Sequence, residues 1–320
     1  MSSNAVLVTG GAGYIGSHVC KALAQNGYLP ITLDNLSMGE EKRVLWGPLI
    51  NGNIFDTELI QTICSEHKPV GMIHLAAWAD VRESIRNPGK YYHNNVHGTR
   101  ALMHAIENST IETCILSSSC SVYGIPEKCP IDERTPTHPI SPYGESKLLA
   151  EMIVQTLAAS YGINYGILRY FNASGSDPEH EIGENIYKSP RIIAQSILSI
   201  LQEKPLPLYG THYDTPDGTV IRDFIHVTDL ANAHVRMLKS QDSAVLNVGT
   251  GKGHSMKEII QGLKALSGKS IHIEEHPPSP GDPPLIYTSA ERARSLGWEP
   301  KYSDIDTILK TAWEFACSQN

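Results

Sequence analysis

Apolar runs and helical repeats alternate through the first half of this 320-residue chain. Ala5-Val-Leu-Val-Thr9 is short, apolar, β-branched and closed by glycines, the pattern of a strand buried on both faces. Residues 17–26 carry apolar side chains at Val19, Ala22 and Leu23, a helical repeat that stops at Asn26-Gly27. A second strand over 29–33 runs into Asp34-Asn35. The alternation continues with a helix over 59–64, a strand over 70–75 and a long amphipathic helix over 94–108. A strand over 113–117, a helix over 146–161 and a strand over 164–170 follow. Strands separated by helices predict an α/β fold: a doubly wound, mostly parallel sheet with helices on both faces.

After Asn172 the rhythm breaks. Residues 175–189 are polar and irregular, 190–202 read as a helix, and prolines and glycines crowd 205–218 and 277–284. A helix over 229–239 is predicted to return to the sheet. The pattern divides the chain into a first domain, residues 1–172, to which 221–240 return, and a smaller mixed domain over 173–320. A length prior of about 150 residues per domain agrees with two.

Gly10-Gly-Ala-Gly13-Tyr-Ile-Gly16 lies between the first strand and the first helix. Gly10 and Gly13 let the backbone approach a pyrophosphate, Gly16 lets helix and strand pack closely, and the helix N-terminus faces the anion. Tight turns also need glycine. Here, however, a strand, a helix and an acid at the end of the second strand surround the triplet within about thirty residues, as in a Rossmann dinucleotide-binding unit. A carboxylate at Asp34 accepts from both ribose hydroxyls and repels a 2′-phosphate, so NAD is expected over NADP. The other role open to Asp34 is capping its loop.

Ser141-Pro-Tyr143-Gly-Glu-Ser-Lys147 starts the helix over 146–161. Ser141 suits an N-cap and Pro142 the first helical position, which puts Tyr143 and Lys147 four apart on one face. An ammonium beside a phenol favours the phenolate, drawing down a pKa that is ordinarily about 10. Such a tyrosine can exchange a proton with a substrate hydroxyl. The same spacing also describes a pair on a solvated helix face.

A net charge of −8 leaves no cationic footprint for nucleic acid. The six cysteines are irregularly spaced without a C-x-x-C, which fits reduced thiols better than a zinc site or a disulfide framework. No apolar run reaches the roughly 18 residues a membrane span needs, and the first strand begins too early for a signal peptide. A soluble, cytoplasmic protein is expected. His74, His180, His212 and His226 lack metal-ligand spacing, so no metal is expected, and His226 reads as a hydrogen-bonded structural histidine.

Thr9-Gly-Gly-Ala-Gly-Tyr-Ile-Gly16, Ser117-Ser-Ser-Cys-Ser-Val-Tyr-Gly124, Tyr143-Gly-Glu-Ser-Lys147 and Leu168-Arg-Tyr-Phe-Asn172 resemble the extended short-chain dehydrogenase/reductases. Gly218-Thr-Val-Ile-Arg-Asp-Phe-Ile-His-Val227 and Tyr91-Tyr-His-Asn-Asn-Val96 are similar to the bacterial UDP-glucose 4-epimerases. The resemblance implies interconversion of UDP-glucose and UDP-galactose through a 4-keto sugar, with NAD held throughout. It implies a homodimer paired through the helices over 94–108 and 146–161. By the same resemblance Ser119, Tyr143 and Lys147 are catalytic. Gly10, Gly13, Tyr14, Ile15, Gly16, Asp34, Asn35, Asn53, Ile54, Leu75, Ala76, Ala77, Asn94, Tyr143, Lys147 and Tyr170 line the cofactor, and Ser119 and Tyr143 also meet the substrate. Asn172 and Arg222 meet the diphosphate, Asp282 the uridine ribose, and Leu208 and Tyr209 the uracil. An Arg222–Asp223 ion pair and a core role for Tyr209 are the structural alternatives.

Departures from the family pattern fall at both ends, two at the cofactor and two at the substrate. Gly52 is followed by Asn53 where an aspartate is usual, and a common lysine is replaced within Ala77-Trp-Ala-Asp80. A second arginine expected before Asp282 is Ser279 or Pro280, and the usual asparagine pair reads Ile186-Tyr187. Arg82 could compensate for a missing cation, and Ile286 could shape the sugar end. These changes leave other UDP-sugars open: N-acetylhexosamine, uronic acid or pentose. A 4,6-dehydratase would need an Asp-Glu pair after Ser119, where Cys120 and Ser121 stand. A non-catalytic NAD sensor is the rival from another class, and intact Ser119, Tyr143 and Lys147 oppose it.

Overall fold

The computed structural model describes residues 4–278 and 282–319. Its strands, in chain order, begin with β1 (Ala5–Thr9), β2 (Leu29–Asp34), β3 (Leu49–Asn51), β4 (Gly71–His74), β5 (Thr113–Ser119) and β6 (Asn164–Tyr170). There follow β7 (Asn172–Ser174), β8 (Leu206–Tyr209), β9 (Ile221–His226), β10 (Ala244–Val248), β11 (Gly253–Ser255), β12 (Ile273–His276) and β13 (Leu285–Ile286). Seven of them form one parallel sheet in the order β3-β2-β1-β4-β5-β6-β10. The chain winds outward from β1 in one direction and from β4 in the other, so a crevice opens between their carboxyl ends. This is the doubly wound α/β sheet expected from the alternation.

The central strands are buried along most of their length because both faces are covered. One face packs on the helices Tyr14–Gln25 and Val227–Leu238, and the other on Thr57–His67, Thr99–Ala105 and Pro142–Tyr161. Beyond the large sheet, β7, β9, β11 and β13 make a small mixed sheet, and β8 pairs with β12. A third apolar cluster lies among the helices Ile192–Gln202, Met256–Ser267 and Ile305–Ser318. The return to the large sheet comes later than the expected 221–240: Ile221–His226 belongs to the small sheet, while Val227–Leu238 and Ala244–Val248 pack on or in the large one.

Two further differences have clear causes. The edge strand β3 is short and only half-buried, too brief to leave a pattern of alternation. The helix expected over 94–108 instead begins at Pro88, and its segment Tyr92–Gly98 winds as a π-helix before Thr99–Ala105 continues. The wider turn accommodates Asn95 on the inside, where its side chain accepts from Trp78 N–H and donates to Trp78 O and Ser146 Oγ. Wide turns of this kind tend to occur at functional sites.

Candidate active site

At the crevice, the backbone makes the site. Gly10 has φ +75, and a Cβ there would come within 2.7 Å of Ala76 N. A Cβ on Gly16 would lie 2.1 Å from the Gly10 carbonyl oxygen, so the helix Tyr14–Gln25 can approach β1 only with glycine there. That helix has no capping side chain and no acid in its first turn, leaving its first N–H groups for an anion. The adjoining cleft, about 600 Å³, is lined by Gly10, Gly13, Asp34, Asn35, Asn53, Ile54, Leu75, Ala76, Ala77 and Asn94. A carboxylate at one wall, unsatisfied helix donors and a glycine floor fit an adenine dinucleotide.

Not every expected cofactor contact is a side chain. The Tyr14 hydroxyl donates to Gly175 O at 2.6 Å and its ring is buried, while Ile15 packs against the core. Both can therefore serve a ligand only through the main chain of the helix start. Asp34 combines the roles weighed for it. It lines the cleft, and its carboxylate also accepts from Ala12 N at 3.0 Å and Leu36 N at 2.8 Å. Burial raises its pKa and those two hydrogen bonds oppose the rise. Asn53 accepts from Phe55 N at 3.2 Å, fixing the turn that presents it.

Ser119, Tyr143 and Lys147 come together one strand over from β4. Ser141 caps the helix Pro142–Tyr161 by accepting from Gly144 N–H, with Pro142 in the first turn, as the motif predicts. Tyr143 and Lys147 are both buried on its inner face. Ser119, at the end of β5, lies close enough to Tyr143 to act on its phenol, while its own hydroxyl donates to Ser121 Oγ at 3.1 Å. Burial raises the Tyr143 phenol well above its usual range, and Tyr170 adds to this, while Ser119 and the guanidinium of Arg191 oppose it. Burial lowers Lys147 to about 8, with Glu151 opposing. Burial therefore outweighs any lowering of the phenol by Lys147 in the polypeptide itself. The Lys147 ammonium donates to Ser117 O at 2.8 Å instead, because β5 passes the helix with a backbone carbonyl in reach.

At the substrate end, Arg222 pairs with Asp282, not with Asp223. Asp223 is fully buried and accepts from Thr250 and Gly251, a structural role that leaves Arg222 free of it. Asn172 donates to Asp223 O at 3.1 Å on the neighbouring strand. Arg222 is close enough to act on Cys120, the residue after Ser119, so this cation and the group of Ser119, Tyr143 and Lys147 share one region. Tyr209 is half-buried, stacked on His276 with ring centroids 5.1 Å apart, and the Arg82 guanidinium lies 3.8 Å over its ring. Its neighbour Leu208 points the other way, into the core at 3% exposure, so it can offer uracil only main chain. Ile286 likewise packs inward with Tyr123 and Phe171. Ser279 and Pro280, where a second arginine is usual, lie outside the described residues.

Four neighbours of the site escape sequence reading. Arg191 follows Pro190 before an apolar helix and lies over the Tyr14 ring, where no motif marks it. Asn95 depends on the π-turn. Glu151 and Arg169 form a buried pair set by the register of β5 against β6. The histidines are structural: His74 is bonded to Thr9 and Thr99, and His226 to Thr311 and Thr228. The carboxylates of Asp177, Glu179 and Glu181 cluster as metal ligands could, but the Lys21 ammonium is bonded to all three.

A doubly wound sheet with a glycine cradle, an acid after β2 and a Ser-Tyr-Lys trio defines a dinucleotide-dependent enzyme class. The chain belongs to the NAD dependent epimerase/dehydratase family, which it matches over residues 6–249. Along its whole length it is 40% identical to the UDP-glucose 4-epimerase of Rhizobium meliloti (strain 1021), covering 99% of that protein. Its fold superposes on the crystal structure of UDP-glucose 4-epimerase from Brucella ovis in complex with NAD, with a TM-score of 0.93, 42% identity and 98% of each chain covered. The UDP-Glc/GlcNAc 4-epimerase of Campylobacter jejuni is also similar, with a TM-score of 0.84, 34% identity, and 98% of this chain and 99% of that one covered. Among the described residues no helix is long and apolar enough to cross a membrane.

Proposed function

We propose that the chain is an NAD-dependent isomerase that interconverts UDP-glucose and UDP-galactose. The observation that carries this is the meeting of Ser119, Tyr143 and Lys147 beside the β1/β4 crevice, in a chain that resembles such epimerases from end to end. The bound nicotinamide supplies a hydride acceptor and donor for sugar C4. Tyr143 takes the proton of the 4-hydroxyl and later returns it, and the Ser119 hydroxyl holds the reacting oxygen beside the phenol. Lys147 and Arg191 contribute positive charge that favours the phenolate while that proton is away. Arg222 and Asn172 hold the diphosphate, Asp282 the ribose, and Tyr209 the uracil, with the Leu208 main chain beside it. This reading gives residues 1–172 and the returning segment the dinucleotide, and the remainder of 173–320 the UDP-sugar.

The test is purified protein incubated with UDP-galactose, no NAD added, and products separated by chromatography. UDP-glucose should appear; no product after adding NAD would overturn the proposal. UDP-N-acetylglucosamine belongs in the same experiment, because the similar Campylobacter protein is named for both sugars. Faster turnover of that substrate would favour the second reading.

The reading also includes a cytoplasmic homodimer. Met152 is 56% exposed on the helix Pro142–Tyr161, beside half-buried Leu149 and Ile153, which supports pairing through that face. All six cysteines are free thiols, in keeping with a reducing compartment. Sedimentation at two protein concentrations would reveal a monomer if the dimer is wrong.

A further inference from the structure

Behind the catalytic trio lies a buried polar network that the proposed reaction does not use. Tyr143, Lys147 and Glu151 follow one another at intervals of four on the inner face of the helix Pro142–Tyr161. Three consecutive serines of β5 meet them in turn. Ser119 lies beside Tyr143, Ser117 O accepts from Lys147, and the Ser118 hydroxyl donates to Glu151. Glu151 is gripped from the next strand by Arg169, the register partner of Ser118. Nε donates to Oε1 at 2.9 Å and Nη2 to Oε2 at 2.6 Å. Arg169 also donates to the Tyr123 hydroxyl at 3.0 Å, and that hydroxyl donates to Asn247 Oδ1 at 2.6 Å.

Glu151 and Arg169 are buried behind the trio, and a buried ion pair is weak as a source of net stability. Its placement suggests another use. The groups facing the Lys147 ammonium are few. Its own helix offers Tyr143 and Glu151, β5 offers the Ser117 carbonyl, and β4 offers His74, whose imidazole is kept neutral by burial. Glu151 is thus the carboxylate that offsets burial of the lysine. Its bidentate bond to Arg169 stops it from swinging onto Lys147, leaving Nζ on Ser117 O.

We propose that the Glu151–Arg169 pair is a positioning element of the active site: it fixes the helix against β5 so that Ser119, Tyr143 and Lys147 converge, and Glu151 is the counter-ion that keeps Lys147 an ammonium. This rests on the reading of Tyr143 and Lys147 as the working pair. The sign of its pH consequence follows. Burial pulls Lys147 down to about 8 and Glu151 works against that fall. Without the carboxylate the ammonium loses its proton at lower pH, and the alkaline limb of turnover moves to lower pH.

The experiment is a pH–rate profile of the NAD-bound enzyme with UDP-galactose for Glu151→Gln, Glu151→Asp and Tyr143→Phe. For Glu151→Gln, kcat should fall about tenfold at neutral pH, with KM little changed. Its alkaline limb should move down by about one pH unit, and Glu151→Asp should recover part of both. Glu151→Gln leaves Arg169 buried without its partner, so the double variant Glu151→Gln/Arg169→Gln removes both charges. It should show a limb displaced in the same direction by a smaller amount, and it carries the test if the single variant does not fold. An unmoved limb in the folded variants, whatever their kcat, would overturn the role of Glu151 and leave the Tyr-Lys reading standing. An active Tyr143→Phe enzyme would overturn both.

Discussion

The two ends of the active site are built from different materials. The dinucleotide end, at the crevice between β1 and β4, is mostly main chain: a glycine floor, the uncapped start of a helix, and Asp34 held by two backbone N–H groups. The substrate end is side chains on short strands, tied by Arg222–Asp282 and by a stack of Arg82, Tyr209 and His276. A site of backbone has one shape and fails abruptly when an atom is added. A site of side chains yields by degrees. Cofactor choice is therefore rigid in this molecule, and substrate choice can drift one residue at a time.

That contrast can be broken most sharply where the two ends meet. Tyr143→Phe should retain NAD yet lose turnover by at least about 10³-fold, measured as kcat beside the cofactor content of the purified protein. Activity within tenfold of the parent would remove the proposed acid–base group. At the rigid end, Gly16→Ala drives a Cβ to 2.1 Å from the Gly10 carbonyl oxygen. A destabilisation of about 1–3 kcal/mol by thermal melting should accompany loss of retained NAD. Full NAD retention would show that this backbone can give after all. Asp34→Asn should narrow the preference for NAD over NADP by about tenfold in binding titrations, since the charge that repels a 2′-phosphate is gone. The gentlest change is at the adaptable end. Arg82→Ala removes a cation over the Tyr209 ring worth about 0.5–1 kcal/mol and should change KM for the UDP-sugar by about 2–5-fold with kcat intact. A change in kcat instead would mean Arg82 reaches the chemistry.

The same division explains what could be read from residues alone. Strands β1 and β6 and the helix start at Ser141-Pro142 are legible because burial and capping are local rules. The meeting of Gly10, Gly16 and Asp34 at one cleft is legible because it follows from their spacing. The Lys147–Ser117 and Glu151–Arg169 bonds are not, since each depends on which residue of one element lies opposite another. One feature was within reach: in Leu206-Pro-Leu208-Tyr209, strand alternation already places Leu208 and Tyr209 on opposite faces. Uracil can meet the side chain of only one of them.

The last strand of the large sheet, β10, carries a consequence for how the molecule is made. It lies beside β6 although more than seventy residues of chain separate them. Between the two strands the chain builds the small sheet's β7 and β9, and the helix that covers β5 and β6. On a ribosome, the edge of β6 therefore stays unpaired until residue 248 has emerged. The Lys21 ammonium, in the first helix, must likewise wait for Asp177, Glu179 and Glu181. Neither half can finish alone, so the nascent chain passes through a period of exposed sheet edge in which a chaperone has work to do.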